Sequence, residues 1–264
     1  LITETSDVAA TTDAPTETIL GIRFFDGSAR EAVEELIRRG GYVVVPAAPA
    51  LVNIRHDEDY RRALLEADMA IADSGFMVLL WRAIRRRRVN RVSGLRYLQL
   101  LLEQQSLRES DAMFVVLPTE PAKARATAWL QSRGFQVRRE NLYVAPIYGR
   151  DATDQRLRDI VEAARPKHII VALGGGTQER LGHYLRDHLS YRPAIHCVGA
   201  ALGFLTGDQR RIPDWADRLY LGWFLRLTNQ PRLYLHRYWA AHELPWMIWK
   251  YGSELPPLVA PRRR

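Results

Sequence analysis

The chain is expected to fold as an α/β protein: an open, mainly parallel sheet with helices on both faces, followed by a helical C-terminal appendage. Three observations point there. Short β-branched apolar runs alternate with amphipathic segments at spacings suited to right-handed crossovers. Glycine-rich or small-residue turns follow several of the runs. Beyond Arg210 the strand signals stop, and arginine and aromatic residues interleave instead. With 264 residues, 47% hydrophobic and 26% charged, the chain has the make-up of a folded soluble protein with a sizeable core.

Taken in order, residues 1–18, rich in Thr, Ala and acids, read as a disordered leader and lack the basic and apolar regions of a signal peptide. Ile19 to Phe24 reads as the first strand. Ser28 stands three residues before Glu31, a capping box for a helix to Arg39, which Gly40-Gly41 ends. Tyr42 to Val45 is a buried strand broken by Pro46-Ala47-Ala48-Pro49. A helix spans Asp57 to Glu66, and Met69 to Ala72 is a strand leading through Asp73 into a helix from Ser74 to Arg86. The amphipathic segment Leu95 to Leu107 is a helix. Further strands are expected at Met113 to Leu117, Phe135 to Arg138, His168 to Leu173 and Ala194 to Val198. Helices are expected at Ala122 to Ser132, Asp154 to Ala164, from the Gly174-Gly175-Gly176 turn to Leu189, and from Gly199 to Thr206. Residues 19–207 thus form a Rossmann-like α/β domain, and 208–264 a basic, aromatic-rich helical appendage.

The formal charge of +8 calls for an anionic partner. Arg211, Arg218, Arg226, Arg232 and Arg237 fall in the tail, as do five of the seven tryptophans. Such a segment suits a bilayer interface, where rings sit at headgroup depth and arginines meet phosphates; a helical cap with core aromatics is the plainer alternative. Net charge without a nucleic-acid motif makes nucleic acid the least favoured partner. The single cysteine, Cys197, excludes an internal disulfide and fits a reducing compartment. No apolar run reaches membrane-spanning length, so a cytoplasmic protein is expected.

Asp73 ends an apolar run and precedes a helix, the place where parallel sheets present reactive groups. Taken alone, this stretch is better accounted for by Asp73 capping that helix. Gly174-Gly175-Gly176 ahead of a helix can approach an anion through backbone N–H groups, but it fits neither the dinucleotide fingerprint nor a Walker loop. No zinc-type cluster and no G-x-S-x-G elbow occur, and His183, His188 and His196 read as surface or satisfied core groups.

Four blocks in register resemble the WecG/TagA/CpsF glycosyltransferases (glycosyltransferase family 26) from about Ile19 to Trp239. They are Ala72-Asp73-Ser74-Gly75 with Trp81; Arg91-Val92-Ser93-Gly94; Leu173-Gly174 with Gln178-Glu179; and Val198-Gly199 through Phe204-Leu205 and Gly207 to Arg211-Ile212-Pro213-Asp214-Trp215 and Trp223 to Arg226. The resemblance implies inverting, metal-independent transfer from a UDP-sugar to a polyprenyl-diphosphate-linked sugar in bacterial exopolysaccharide or envelope synthesis. No cofactor is implied. Asp73 would be the general base. Arg91, Gly174, Gly175, Gly176, Gln178, Glu179 and Gly199 would bind substrate. Arg211, Arg218, Arg226, Arg232 and Arg237 would serve the acceptor diphosphate and an anionic membrane surface on the inner face of the cell membrane. Homo-oligomerisation is left open.

The departures are specific. Pro46, Ala48 and Ala50 replace the family's Thr, Asn and Glu, and Gly203, Gly222 and Arg96 stand where it has acids. A less polar donor side is expected, and a weakened member acting as a nucleotide- or lipid-intermediate-binding subunit is the alternative.

Overall fold

The structure is a computed structural model and describes residues 15–109, 111–149, 151–208 and 241–259. Arg211, Arg218, Arg226, Arg232 and Arg237 lie outside the described residues.

One eight-stranded sheet organises the molecule. Its strands are β1 (Thr16–Ile19), β2 (Ile22–Phe25), β3 (Gly41–Val44), β4 (Met69–Ile71), β5 (Met113–Leu117), β6 (Leu142–Val144), β7 (His168–Val171) and β8 (Ala194–Cys197). They are arranged β1-β2-β4-β3-β8-β7-β5-β6. All neighbours run parallel except β1, which pairs antiparallel with β2. The central strands are buried throughout, as a sheet covered on both faces requires.

One face is covered by α2 (Ala48–Leu51), α3 (Glu58–Leu65), α4 (Gly75–Arg85), α7 (Gln155–Ala164) and α8 (Thr177–His188). The other carries α1 (Ala29–Arg39), α5 (Gly94–Glu103), α6 (Glu120–Ser132) and α9 (Ala201–Thr206). The predicted capping box of Ser28 and Glu31 holds for α1, and the structure adds caps at Asp57 for α3 and Asp154 for α7.

Three expectations are corrected. The leader does not extend to Thr18, because Thr16 to Thr18 lie in β1. There the buried Glu17 carboxylate accepts the Trp81 indole N–H and an Arg87 N–H, each at 2.8 Å. The single strand from Ile19 is a hairpin, folded at Leu20-Gly21 with φ of 52° and 80°, the two-residue turn with both residues left-handed. Phe135 to Arg138 does not join the sheet. Phe135 is buried on the α6 face and Arg108 sits over its ring at 4.9 Å, while the edge strand β6 forms later.

In the described part of the tail, α10 (Glu243–Tyr251) packs on the domain: Leu244, Met247 and Ile248 are fully buried in the core cluster that contains Trp81 of α4. The Leu20 and Gly21 N–H groups donate to the Gly252 and Ser253 carbonyls. Arg85, in the last turn of α4, reaches the Trp249 carbonyl at 3.4 Å, a cation at the C-terminal end of α10.

Candidate functional site at the carboxyl edge of the sheet

Val44 of β3 stands level with Ala70 of β4 on one side and Cys197 of β8 on the other, and Cys197 is level with Val171 of β7. The loops leaving these four strands therefore emerge in a row. The chain turns from β3 into α2 and α3 on one face and from β8 into α9 on the other. Such divergence opens the ligand crevice of a parallel sheet. Strands spaced about 4.8 Å apart place the ends of β4 and β7 roughly 14 Å apart, a span for an extended ligand.

At the β4 end, Asp73 does not cap the helix that follows it. Ser74 does, accepting the Met77 N–H at 3.3 Å. This leaves the Asp73 carboxylate free to act elsewhere. Its Oδ1 accepts the Gly94 N–H at 3.0 Å, at the start of α5, where Ser93 is the cap. Arg91 donates from Nε to the Asp73 carbonyl at 2.7 Å, and its Nη2 lies 3.7 Å from Oδ1. A side chain at Gly94 would stand 3.2 Å from Val45 and 3.8 Å from the Asp73 carboxyl carbon. The glycine lets α5 approach β3 and β4 closely. Among the described residues Asp73 Oδ2 makes no hydrogen bond, and the side chain is 33% exposed, so this oxygen remains available to a ligand.

At the β7 end, Gly174 and Gly175 are exposed and Gly176, with φ of 91°, turns the chain into α8. Gly174 borders open space. A side chain at Gly175 would meet Ala50 at 3.7 Å, which puts α2 against the triglycine turn. Gln178 is buried with its Oε1 unpartnered. Its amide lies under Gly199, where a β-carbon would come within 3.3 Å of Nε2. Glu179, expected to line the pocket, is fully buried instead. Its oxygens take the Gly176 N–H at 2.5 Å and the Gln178 Nε2–H at 3.0 Å, and burial pushes its pKa up. The sequence reading missed Arg180, in the first turn of α8. Its Nη2 lies 4.0 Å from where a Gly176 side chain would begin, and Nη1 bonds Asp57. An arginine directly after the Gln-Glu pair was the only signal.

The structure thus gathers Asp73 with Arg91 at one end of the row, and the glycines with Gln178 and Gly199 at the other. A carboxylate that can take a proton stands across from an N-terminal helix turn that favours an anion.

The histidines lie elsewhere. His196 is buried and bonded to Tyr97 at 2.8 Å and His168 at 3.3 Å, while His183 meets Glu66 at 2.9 Å and His188 meets the Tyr184 carbonyl. Among the described residues Glu66, His183 and Asp187 are close enough together to hold a cation, but Arg186 already bonds both carboxylates.

The model of the glycosyl transferase WecG/TagA/CpsF family matches residues 17–257. Two N-acetylglucosaminyldiphosphoundecaprenol N-acetyl-beta-D-mannosaminyltransferases are similar in sequence. The one from Bacillus subtilis (strain 168) is 35% identical over 71 residues, 27% of each chain. The one from Bacillus spizizenii (strain ATCC 23059 / NRRL B-14472 / W23) is 23% identical over 200 residues, 73% of each. The first alignment therefore spans little more than a quarter of that relative's length.

Proposed function

Since the chain belongs to the WecG/TagA/CpsF glycosyltransferase family, we propose that it moves a sugar from a UDP-sugar to a sugar carried on a polyprenyl diphosphate, with inversion and without a metal ion. The observation that carries this reading is the Asp73 carboxylate, held through Oδ1 by the Gly94 N–H, with no hydrogen bond to Oδ2 among the described residues. In the reaction, Asp73 takes the proton from the acceptor hydroxyl as that oxygen attacks the anomeric carbon from the face opposite UDP. The bond from that carbon to the diphosphate breaks, and the electron pair leaves with UDP. The N–H groups of Gly174 and Gly175 meet the charge that develops there, the Gly176 N–H being held by Glu179, while Arg91 fixes the Asp73 end of the crevice.

Ala50, where the family has Glu, puts an apolar side chain against Gly175. This supports a donor other than the N-acetylmannosaminyl group named for the relatives, and it is also what favours the second reading, a binding subunit of low activity. Release of UDP on mixing a panel of UDP-sugars with a polyprenyl-diphosphate-linked acceptor separates the two.

For the favoured reading, Asp73→Asn should lower kcat by about 100-fold or more while UDP binding and the melting temperature hold, since general-base catalysis typically contributes 10²–10⁴-fold. Turnover equal to the parent would remove Asp73 from the mechanism.

Docking on the inner face of the membrane belongs to the same proposal. Among the described residues no helix is long and apolar enough to cross a bilayer. Trp249 is 66% exposed and Trp246 41%, and the Lys250 ammonium lies 4.9 Å from the Trp246 ring. Amphipathic rings beside a cation suit an anionic headgroup layer.

A further inference from the structure

Glu179 is a carboxyl group without access to solvent, placed in the first turn behind the triglycine loop. Both its oxygens are used locally, one on the Gly176 N–H and the other on the Gln178 Nε2–H. Arg180, the adjoining cation, is bonded to Asp57 instead. This arrangement decides which way the Gln178 amide points. With the Gly176 N–H and the Gln178 Nε2–H both donating to Glu179, the NH₂ end of the amide faces Glu179 and the carbonyl end faces away. That carbonyl oxygen is buried beside Gly199 and has no partner. An unmet buried acceptor is destabilising, and its retention at the carboxyl edge of the sheet is explained if a ligand supplies the donor.

We propose that Glu179 is a positioning residue, which clamps the triglycine turn and aims the Gln178 carbonyl as a fixed acceptor for an N–H or O–H group of the nucleotide-sugar. The inference deepens the donor-site reading above and rests on it. Glu179 itself touches no ligand; it acts through Gln178. An amide free to rotate would offer either end to the ligand, and selectivity for a donor group would fall.

The test is a double-mutant cycle on the full chain with Glu179→Gln, Gln178→Ala and the pair, titrated calorimetrically with UDP and with UDP-N-acetylglucosamine. Glu179→Gln should weaken binding about tenfold, and should weaken it no further once Gln178 is alanine. Loss with both probes assigns the ligand's donor group to the nucleotide, and loss with the second alone assigns it to the sugar. Effects that multiply, or a Glu179→Gln protein that binds like the parent, overturn the proposal.

The clamp is also read without any ligand, from the Gln178 side-chain amide resonances. Their exchange with solvent should quicken in Glu179→Gln, and an unchanged amide pair overturns the clamp. A parent protein that binds neither probe counts against the donor-site reading, while the amide resonances still judge the clamp. Should Glu179→Gln fail to fold, Glu179→Asp withdraws the carboxylate by one methylene and carries the same comparisons.

Discussion

At position 199 a side chain and the Gln178 amide compete for one space. The glycine has φ of 57°, and a β-carbon there would crowd both the amide nitrogen and oxygen at 3.3 and 3.4 Å. Gly199→Ala should therefore cost about 1–2 kcal/mol in urea unfolding, from left-handed strain and the displaced amide together. It should also weaken UDP binding by titration; a fully stable variant with unchanged affinity would separate Gly199 from the donor site. At this scale much of the site was legible. Asp73 was readable because an apolar run ends in a lone acid before small residues. Its release from capping was not, since Asp73 and Ser74 are both good caps and only the geometry chooses. Glu179 is placed in the pocket by the resemblance of Gln178-Glu179 to the family block, which does not distinguish a lining side chain from a buried one. The loop N–H and the neighbouring amide that receive it leave no trace in spacing.

Among the elements, periodicity found the central strands because they are continuous apolar runs covered on both faces. The β1–β2 hairpin escaped notice because its turn holds the fully buried Leu20 in place of the usual Asn-Gly signal. The short edge strand β6 lost out to the better alternation at Phe135 to Arg138, which packs against a helix layer. For α10, the mixture of buried and exposed aromatic positions was visible as composition only. The structure divides it into a face of Leu244, Met247 and Ile248 against the core and an outward Trp249. If the outward side meets lipid, Trp249→Ala combined with Lys250→Glu should reduce sedimentation with vesicles containing phosphatidylglycerol several-fold. The melting temperature should stay close to that of the parent, because neither position is buried. Undiminished sedimentation would move the docking surface away from α10.

For the molecule as a whole, acid should be the destabilising direction. His168 and His196 are buried side by side across β7 and β8, and burial holds the His168 pKa down at about 4 and that of His196 well below its usual value. The groups around His168 are His196, Lys167 and Glu109, with Tyr97 bonded to the far side of His196. The unfolded chain takes up protons on these rings below about pH 6.5, whereas the folded protein does not. Stability is therefore complete above pH 6.5 and declines as the pH falls toward 4, by roughly 3 kcal/mol for His168. Urea unfolding at pH 7.5 and 4.5 measures the difference, and His168→Gln should flatten it. A parent protein equally stable at both values would show that the pair is protonated when folded.

The hydrogen bonds from Leu20 and Gly21 to Gly252 and Ser253 have a consequence for synthesis. A nascent chain could assemble all eight strands once β8 had left the ribosome, yet the flank of α4 and the hairpin would stay bare until α10 emerged. Trp81 and its neighbours would meanwhile present a sticky surface to chaperones and to other nascent chains. A stall or frameshift in the codons between them would yield a product with a finished sheet and an open seam, one that quality control should remove.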